Sequence, residues 1–447
     1  MRRLWSSVTT LILLGVMLLV AACGGGSSSG SSSSSSSGGA TGGLSASKKY
    51  NVVFYEAFGS GANKTSLQAL TKQYEQMHPN VTVQLDPYDS YTTLQTKITA
   101  AIAAGKPPAI AQVYEEWATQ YQQANDILPL QPFIAGKDGL SQSDLADFYP
   151  SLLKDGQING TQYMLPFNKS DMALYYNATA LQKLGLSVPT TWQDLMTDFT
   201  KATKSNGSQW GLSITPDVDM WSVLYKSLGG SDFVSSDGKS VTFDSGTNAQ
   251  YAQQALEQFA PLVKSGAIHV TKSYNWQNDF ASGKSLFAIS TIASYPYIKQ
   301  GVNNTFQFSE APLPTGSDGN SYTVLYGTNL ALFSGVDSDT QAAAWDYMKF
   351  LTSASANTTF VQDTGYMPIR QSVFTGSALQ SYYSSTPALK AGPESLPNAF
   401  VASIVPAWDQ CRNIITTDYT STLTGQSSAA ASLSKMTQSC NSALAQG

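Results

Sequence analysis

Side chains able to act as strong nucleophiles or metal ligands are few in this 447-residue chain: three cysteines, Cys23, Cys411 and Cys440, and two histidines, His78 and His269. Neither histidine has partners at ligand spacing, so no metal centre is expected. Beyond a glycine-serine tract near the start, the chain has no G-x-S-x-G elbow, phosphate loop, H-E-x-x-H helix or G-x-G-x-x-G fingerprint. General acid-base work would have to rest on carboxylates, as in a glycoside hydrolase, which is the one enzymatic alternative; the expectation is a protein that is not an enzyme and carries no cofactor. Cys411 and Cys440 are 29 positions apart. They read either as one disulfide, stabilising by about 3.5 kcal/mol in the chain-entropy picture, or as two buried thiols.

Cys23 has a different setting. Arg2 and Arg3 precede an uncharged apolar run over 11–22, LILLGVMLLVAA, which ends at this cysteine. Twelve apolar residues fall short of the roughly 20 needed to span a bilayer, so 1–22 is read as a cleaved signal peptide. The sequence VAAC at its end resembles a bacterial lipobox, which makes Cys23 the expected lipidation site and the mature N-terminus. Residues 24–43 are almost entirely Gly and Ser. That composition cannot build a core, and 23–47 is assigned as a tether with a reach of roughly 25 Å. The expected location is the outer face of the bacterial cytoplasmic membrane, held by an N-terminal lipid anchor.

Charge removes other partners. Charged residues are 12% of the chain, against roughly 25% in an average protein, and the formal net charge is −5 with no basic block. Nucleic acid is therefore not a partner, and docking on anionic lipid through a polybasic patch is excluded. Aromatic residues, at 11%, are plentiful.

The elements that position any site alternate in type. Residues 49–54 (KYNVVF) read as a strand; Leu67, Leu70, Tyr74 and Met77 fall at helical spacing and stop at His78-Pro79-Asn80; 81–85 (VTVQL) alternates; Leu94, Ile98 and Ile102 are helical again; and 109–113 is a third strand. This β-α-β-α-β order predicts a mostly parallel sheet covered by helices, an α/β class. Further on, 172–176 (MALYY) reads as a strand, and Thr191 as the N-cap of a helix through Phe199. Ser236 to Lys239 reads as a hairpin turn between Val234 and Val241, and Trp345, Met348 and Leu351 lie on one helical face.

Four strings in order, PAIAQVYE at 108–115, LPFNKSDMALYYN at 165–177, TWQDL at 191–195 and TGYMPI at 364–369, resemble the family 1 extracellular solute-binding proteins of ABC importers. The resemblance covers about 49–447 and is greatest to the glycerol 3-phosphate-binding members. It implies a two-lobe periplasmic-binding-protein-like fold, with crossing hinge segments and a ligand cleft between the lobes. By analogy the first lobe takes 48–167 plus 295–357, and the second 168–294 plus 358–447. Carried over position by position, the family's ligand contacts fall on Tyr91, Glu115, Ser170, Trp192, Ser294, Gly327, Tyr366 and Arg412.

That set implies a solute and a partner. Aromatic faces and a carboxylate suit a polyol or sugar, and an arginine fork matches phosphate oxygens. The implied function is capture of glycerol 3-phosphate or a glycerophosphodiester by lobe closure and delivery to ABC permease subunits. A neutral mono- or oligosaccharide is the alternative. Each residue also has an ordinary structural role open to it: Trp192 as core packing, Glu115 beside Glu116 as a solvated pair, Arg412 in a pair with Asp409.

Overall fold

The computed structural model describes residues 44–401 and 403–446. The expected signal peptide, Cys23 and most of the tether lie outside the described residues. The first strand, β1 (Tyr50–Glu56), is followed by α1 (Gly61–Met77), which buries Leu67, Leu70 and Tyr74 on one face and ends at His78. Then come β2 (Val81–Pro87), α2 (Tyr91–Ala103), β3 (Ile110–Val113) and α3 (Glu115–Gln123). The Ser90 hydroxyl caps α2 by accepting from the Thr93 N–H at 3.1 Å, which satisfies one of the donors a helix start leaves unpaired. The anticipated β-α-β-α-β run is present, with β1 parallel to both β2 and β3.

The chain passes from β4 (Met164–Pro166) into a second sheet. That sheet holds β5 (Ser170–Asn177), β6 (Trp210–Ile214), β7 (Ile268–Val270), β8 (Ser285–Thr291), β9 (Phe308–Ala311) and β10 (Thr323–Tyr326). The next strand, β11 (Asn329–Leu332), returns to the first sheet, whose order is β2-β1-β3-β11-β4. The second sheet runs β12-β10-β5-β8-β6-β7, closed at one edge by β12 (Ala399–Phe400), with β9 also paired to β5. Each sheet has its own core. Around the first, Phe54, Leu70, Tyr74, Leu332 and Phe360 pack together; around the second, Leu195, Phe199, Trp221, Phe287 and Tyr419 do so. Burying each such side chain stabilises by about 1.5–3 kcal/mol.

Helix α4 (Trp192–Ala202) starts as expected, with Thr191 accepting from the Asp194 N–H at 3.2 Å. Val234 and Val241 form the expected bridge around the 236–239 turn. Helix α5 (Val218–Ser227) is capped by Asp217, while α6 (Ser338–Leu351) and α7 (Ala354–Thr364) pack on the first sheet's side. The chain ends in a hairpin of α8 (Trp408–Leu423) and α9 (Ala429–Leu444).

Two expectations are corrected here. The return to the first lobe was placed at 295, but β9 and β10 both pair antiparallel with β5, so 308–326 extends the second sheet and the return occurs at Gly327-Thr328. Those strands are four residues each in polar, turn-rich sequence, too short for periodicity to reveal. The final passage out of the first lobe comes after α7 rather than at 358, since Phe360, Val361 and Tyr366 are still buried and Phe360 and Tyr366 belong to the first core. The second correction concerns Cys411 and Cys440. Both are buried and unbonded, each thiol donating toward the other's backbone carbonyl at 3.7 and 3.9 Å, so the expected disulfide is absent.

Three segments therefore connect the lobes: 167–169, Gly327-Thr328 and 365–370. Gly327 has φ +86°, and a Cβ there would stand 1.9 Å from the Asn168 carbonyl oxygen. Only glycine fits that backbone approach.

Two outcomes are expected. Thiol titration of the mature body in denaturant without reductant should give two reactive groups; a value of zero would restore the disulfide. Gly327→Ala should lower stability by at least about 2 kcal/mol in a denaturant titration, through strain and backbone contact together.

Candidate functional site

The crossing segments meet at a buried lysine. Lys169, between β4 and β5, has a side chain 1% exposed, and its ammonium donates to Asp155 Oδ2 at 2.5 Å, Glu115 Oε1 at 2.9 Å and the Gly327 carbonyl at 3.2 Å. Asn329 Nδ2 donates to the same two carboxyl oxygens at 2.7 and 2.9 Å. The Lys169 carbonyl accepts from the Met367 N–H at 2.9 Å. One residue thus touches all three crossings. Two carboxyl groups and one ammonium share this site, and burial together with the neighbouring Asp155 pushes Glu115 well above the usual carboxylate range. Asp155 goes the other way: burial opposes ionisation, but Lys169 and its hydrogen bonds hold it below its ordinary value. Of the two carboxyls, Glu115 is therefore the one whose neutral form the site favours.

Above this floor lies a cavity of about 480 Å³. The first lobe contributes Tyr91 from α2 and Tyr114, Glu115 and Glu116 from the start of α3. The second contributes Tyr326 from β10 and Trp408, Asp409 and Arg412 from α8. The rings are braced: Tyr91 meets Tyr114 edge-on at 5.1 Å, and Tyr114 meets Trp117 likewise. Across one rim, Thr119 and Gln120 of α3 donate to the carbonyls of Ile404 and Pro406 at 3.0 and 3.4 Å.

Arg412 is the one cation among the lining residues, and its fork is engaged. Both Nη atoms donate to the two carboxylate oxygens of Asp219 on α5 at 2.8 Å. The pairing is bidentate, the strongest geometry this pair of groups has. The ordinary partners open to it in the sequence were Asp409 or a helix end; Asp219 takes that place, two residues past the cap of α5 and paired with α8.

The structure brings together Tyr91, Glu115 and Arg412 at the cavity. Gly327 and Tyr366 stand directly behind it. The Gly327 carbonyl holds Lys169, while Tyr366 stacks on Phe360 at 5.6 Å, and its hydroxyl, after burial, is what pushes the Tyr91 phenol upward. The Tyr91 hydroxyl accepts from Asn168 Nδ2 at 2.9 Å. The other three lie apart from the lining. Ser170 Oγ accepts from Thr291 Oγ1 at 2.9 Å, and Ser294 is buried at the end of a short turn, Ile292–Ser294. Trp192 packs in the second core, 6.2 Å from Phe259, the core role that a helix-opening tryptophan ordinarily has.

Sequence reasoning missed Lys169, Asp155 and Asn329. A signal for the first existed: a lysine inside the apolar string LPFNKSDMALYY must bring a counter-charge into the interior. Its partners, 14 and 54 residues earlier, carry no local mark. Among the described residues no group of three or more His, Cys, Asp or Glu could hold a metal ion, and no helix is long and apolar enough to cross a membrane.

Comparisons with known proteins agree on one family. The family described as bacterial extracellular solute-binding protein matches residues 69–391. The chain is 24% identical over 410 residues to the sn-glycerol-3-phosphate-binding periplasmic protein UgpB of Rhizobium meliloti, covering 86% of this chain and 92% of that one. Its fold is similar to UgpB from Mycobacterium tuberculosis, solved in complex with glycerophosphocholine, at 19% identity and a TM-score of 0.76, covering 89% of this chain and 98% of that one. It is equally similar to the GacH receptor of Streptomyces glaucescens, solved unliganded and with acarbose, at 22% identity and a TM-score of 0.75 with the same coverage.

Lys169→Met should cost about 3–5 kcal/mol of stability, because it leaves two carboxyl groups sharing a buried site without their cation. Chemical denaturation measures this, and a loss below 1 kcal/mol would show that the ammonium is not what joins the crossings.

Proposed function

The chain belongs to the bacterial extracellular solute-binding proteins, and from that premise we propose that it is a membrane-tethered receptor of an ABC importer that closes its two lobes over a neutral, polyhydroxylated solute and presents it to permease subunits unchanged. The observation that carries the choice of solute is the state of Arg412. Its fork is already satisfied by Asp219, and every other side chain of the cavity that carries charge at neutral pH is a carboxyl. A phosphate dianion would have to displace Asp219 and then sit beside Glu116 and Asp409. Sugar hydroxyls face no such opposition: the Glu115 carboxyl can accept, the tyrosine hydroxyls and Asn413 can donate and accept, and Tyr91, Tyr326 and Trp408 offer ring faces to C–H surfaces. Closure needs a solute that binds the closed arrangement better than the open one, and each tenfold preference corresponds to about 1.4 kcal/mol. Anchoring through Cys23 and the Gly/Ser tether would keep the body within roughly 25 Å of the membrane.

A second reading, glycerol 3-phosphate or a glycerophosphodiester, is favoured by the name of the UgpB relative and by the presence of Tyr91, Glu115, Gly327, Tyr366 and Arg412 at the matched positions. In it, phosphate replaces Asp219 on the fork.

Isothermal calorimetry with maltose, trehalose, glycerol 3-phosphate and glycerophosphocholine separates the two. Binding of at least one sugar, with a change in tryptophan fluorescence and the sugar recovered intact, is expected. Binding of the phosphate compounds alone, lost in Arg412→Ala by at least about 2 kcal/mol, would establish the second reading. Turnover of any bound compound would overturn both.

A further inference from the structure

A second hollow, of about 340 Å³, adjoins the interlobe cavity and shares one wall with it, the ring of Tyr326. It lies at the carboxyl ends of β6 and β8, which run parallel, the edge of an α/β sheet where ligands characteristically bind. Its apolar floor is Met172, Ile214, Met220 and Ile289, and its rim carries Thr215, Asp217, Ser290 and two further rings, Tyr274 and Trp276.

The rim is built rather than incidental. Ser273 has φ +52°, a left-handed conformation uncommon outside glycine, and it is held there by Thr215 Oγ1 donating to its carbonyl at 2.6 Å. The effect is to project Tyr274, which at 73% exposure is the most solvent-exposed large hydrophobic side chain among the described residues. Trp276, by contrast, is 5% exposed and fixed against Tyr175. An exposed ring beside a fixed one, over an apolar floor with hydroxyls at the edge, matches a pyranose, which has apolar C–H faces and an equatorial belt of hydroxyls. No lysine or arginine lines the hollow, so an anionic group has no partner there. Its one carboxyl, Asp217, is pushed up to about 7 by burial and by Asp219 beside it, and so offers a proton as well as a lone pair to a hydroxyl near neutrality.

We propose that this hollow is a second sugar-ring subsite, so that the solute is an oligosaccharide of two or more linked pyranose units lying across Tyr326, one unit in each compartment. The inference rests on the neutral-solute reading above and narrows it to a chain length.

Calorimetry on the mature protein with glucose, maltose and maltotriose, repeated with Tyr274→Ala, tests it. Tyr274 is exposed, so its removal should not disturb folding, and an unchanged thermal midpoint would establish that. In the natural protein, affinity should rise at least tenfold from glucose to maltose. Tyr274→Ala should remove most of that gain while leaving glucose within about twofold. Equal affinity for all three sugars, or an equal loss for all three in the variant, would overturn the second subsite and leave the receptor reading standing. Absence of binding to any of these sugars and to trehalose would overturn the neutral-solute reading and the subsite with it.

Discussion

An ammonium group cannot be buried alone. Its hydration is worth so much that an interior lysine must be surrounded by acceptors or lose its proton. Lys169 keeps its proton by gathering Asp155 and Glu115 from the first lobe and the Gly327 carbonyl from the second crossing, while its own carbonyl holds the third crossing through Met367. The requirement to satisfy one charge therefore fixes where three lengths of chain, far apart in sequence, pass each other. Both sheets hang from that point, and Glu115, one of its ligands, is at the same time part of the cavity floor. The cavity and the joint between the lobes share a side chain.

Charge elsewhere in the cleft is similarly committed. Arg412 and Asp219 neutralise each other across α8 and α5, within the second lobe, so this pair persists whether the lobes are apart or together. What remains in the cavity besides that pair is phenols, two indoles, two amides and the carboxyls of Glu115, Glu116 and Asp409. The phenols, indoles and amides discriminate by hydrogen-bond direction and ring contact rather than by Coulomb attraction.

Much of this was legible beforehand, and the failures have physical causes. The first three strands and two helices could be read because their apolar residues repeat at 2.0 or 3.6 and the helix ends carry caps or breakers. Of the residues carried over from the family, Tyr91, Glu115 and Arg412 line the cavity; Tyr91 and Glu115 open helices, where local sequence is distinctive, while Arg412 lies within α8. Trp192 and Ser294 were not separable from packing roles, since a ring at a helix start looks the same whether it faces a cleft or Phe259. The return of the chain at Gly327 was hidden because β9 and β10 derive their stability from pairing with β5, a long-range property with no local signature. The cysteine pair was open in the sequence for another reason: count and spacing allow a bond, but whether the two sulfurs come to bonding distance depends on helix packing.

Gly327 has a mechanical consequence. Because its α-carbon hydrogen faces the Asn168 carbonyl with no room for a methyl group, two of the three crossings touch backbone to backbone at that point. Neither crossing can therefore move closer to the other at that point. A side chain at 327 would force these two crossings apart and carry the Gly327 carbonyl away from the Lys169 ammonium, so the backbone contact and the buried charge stand or fall together.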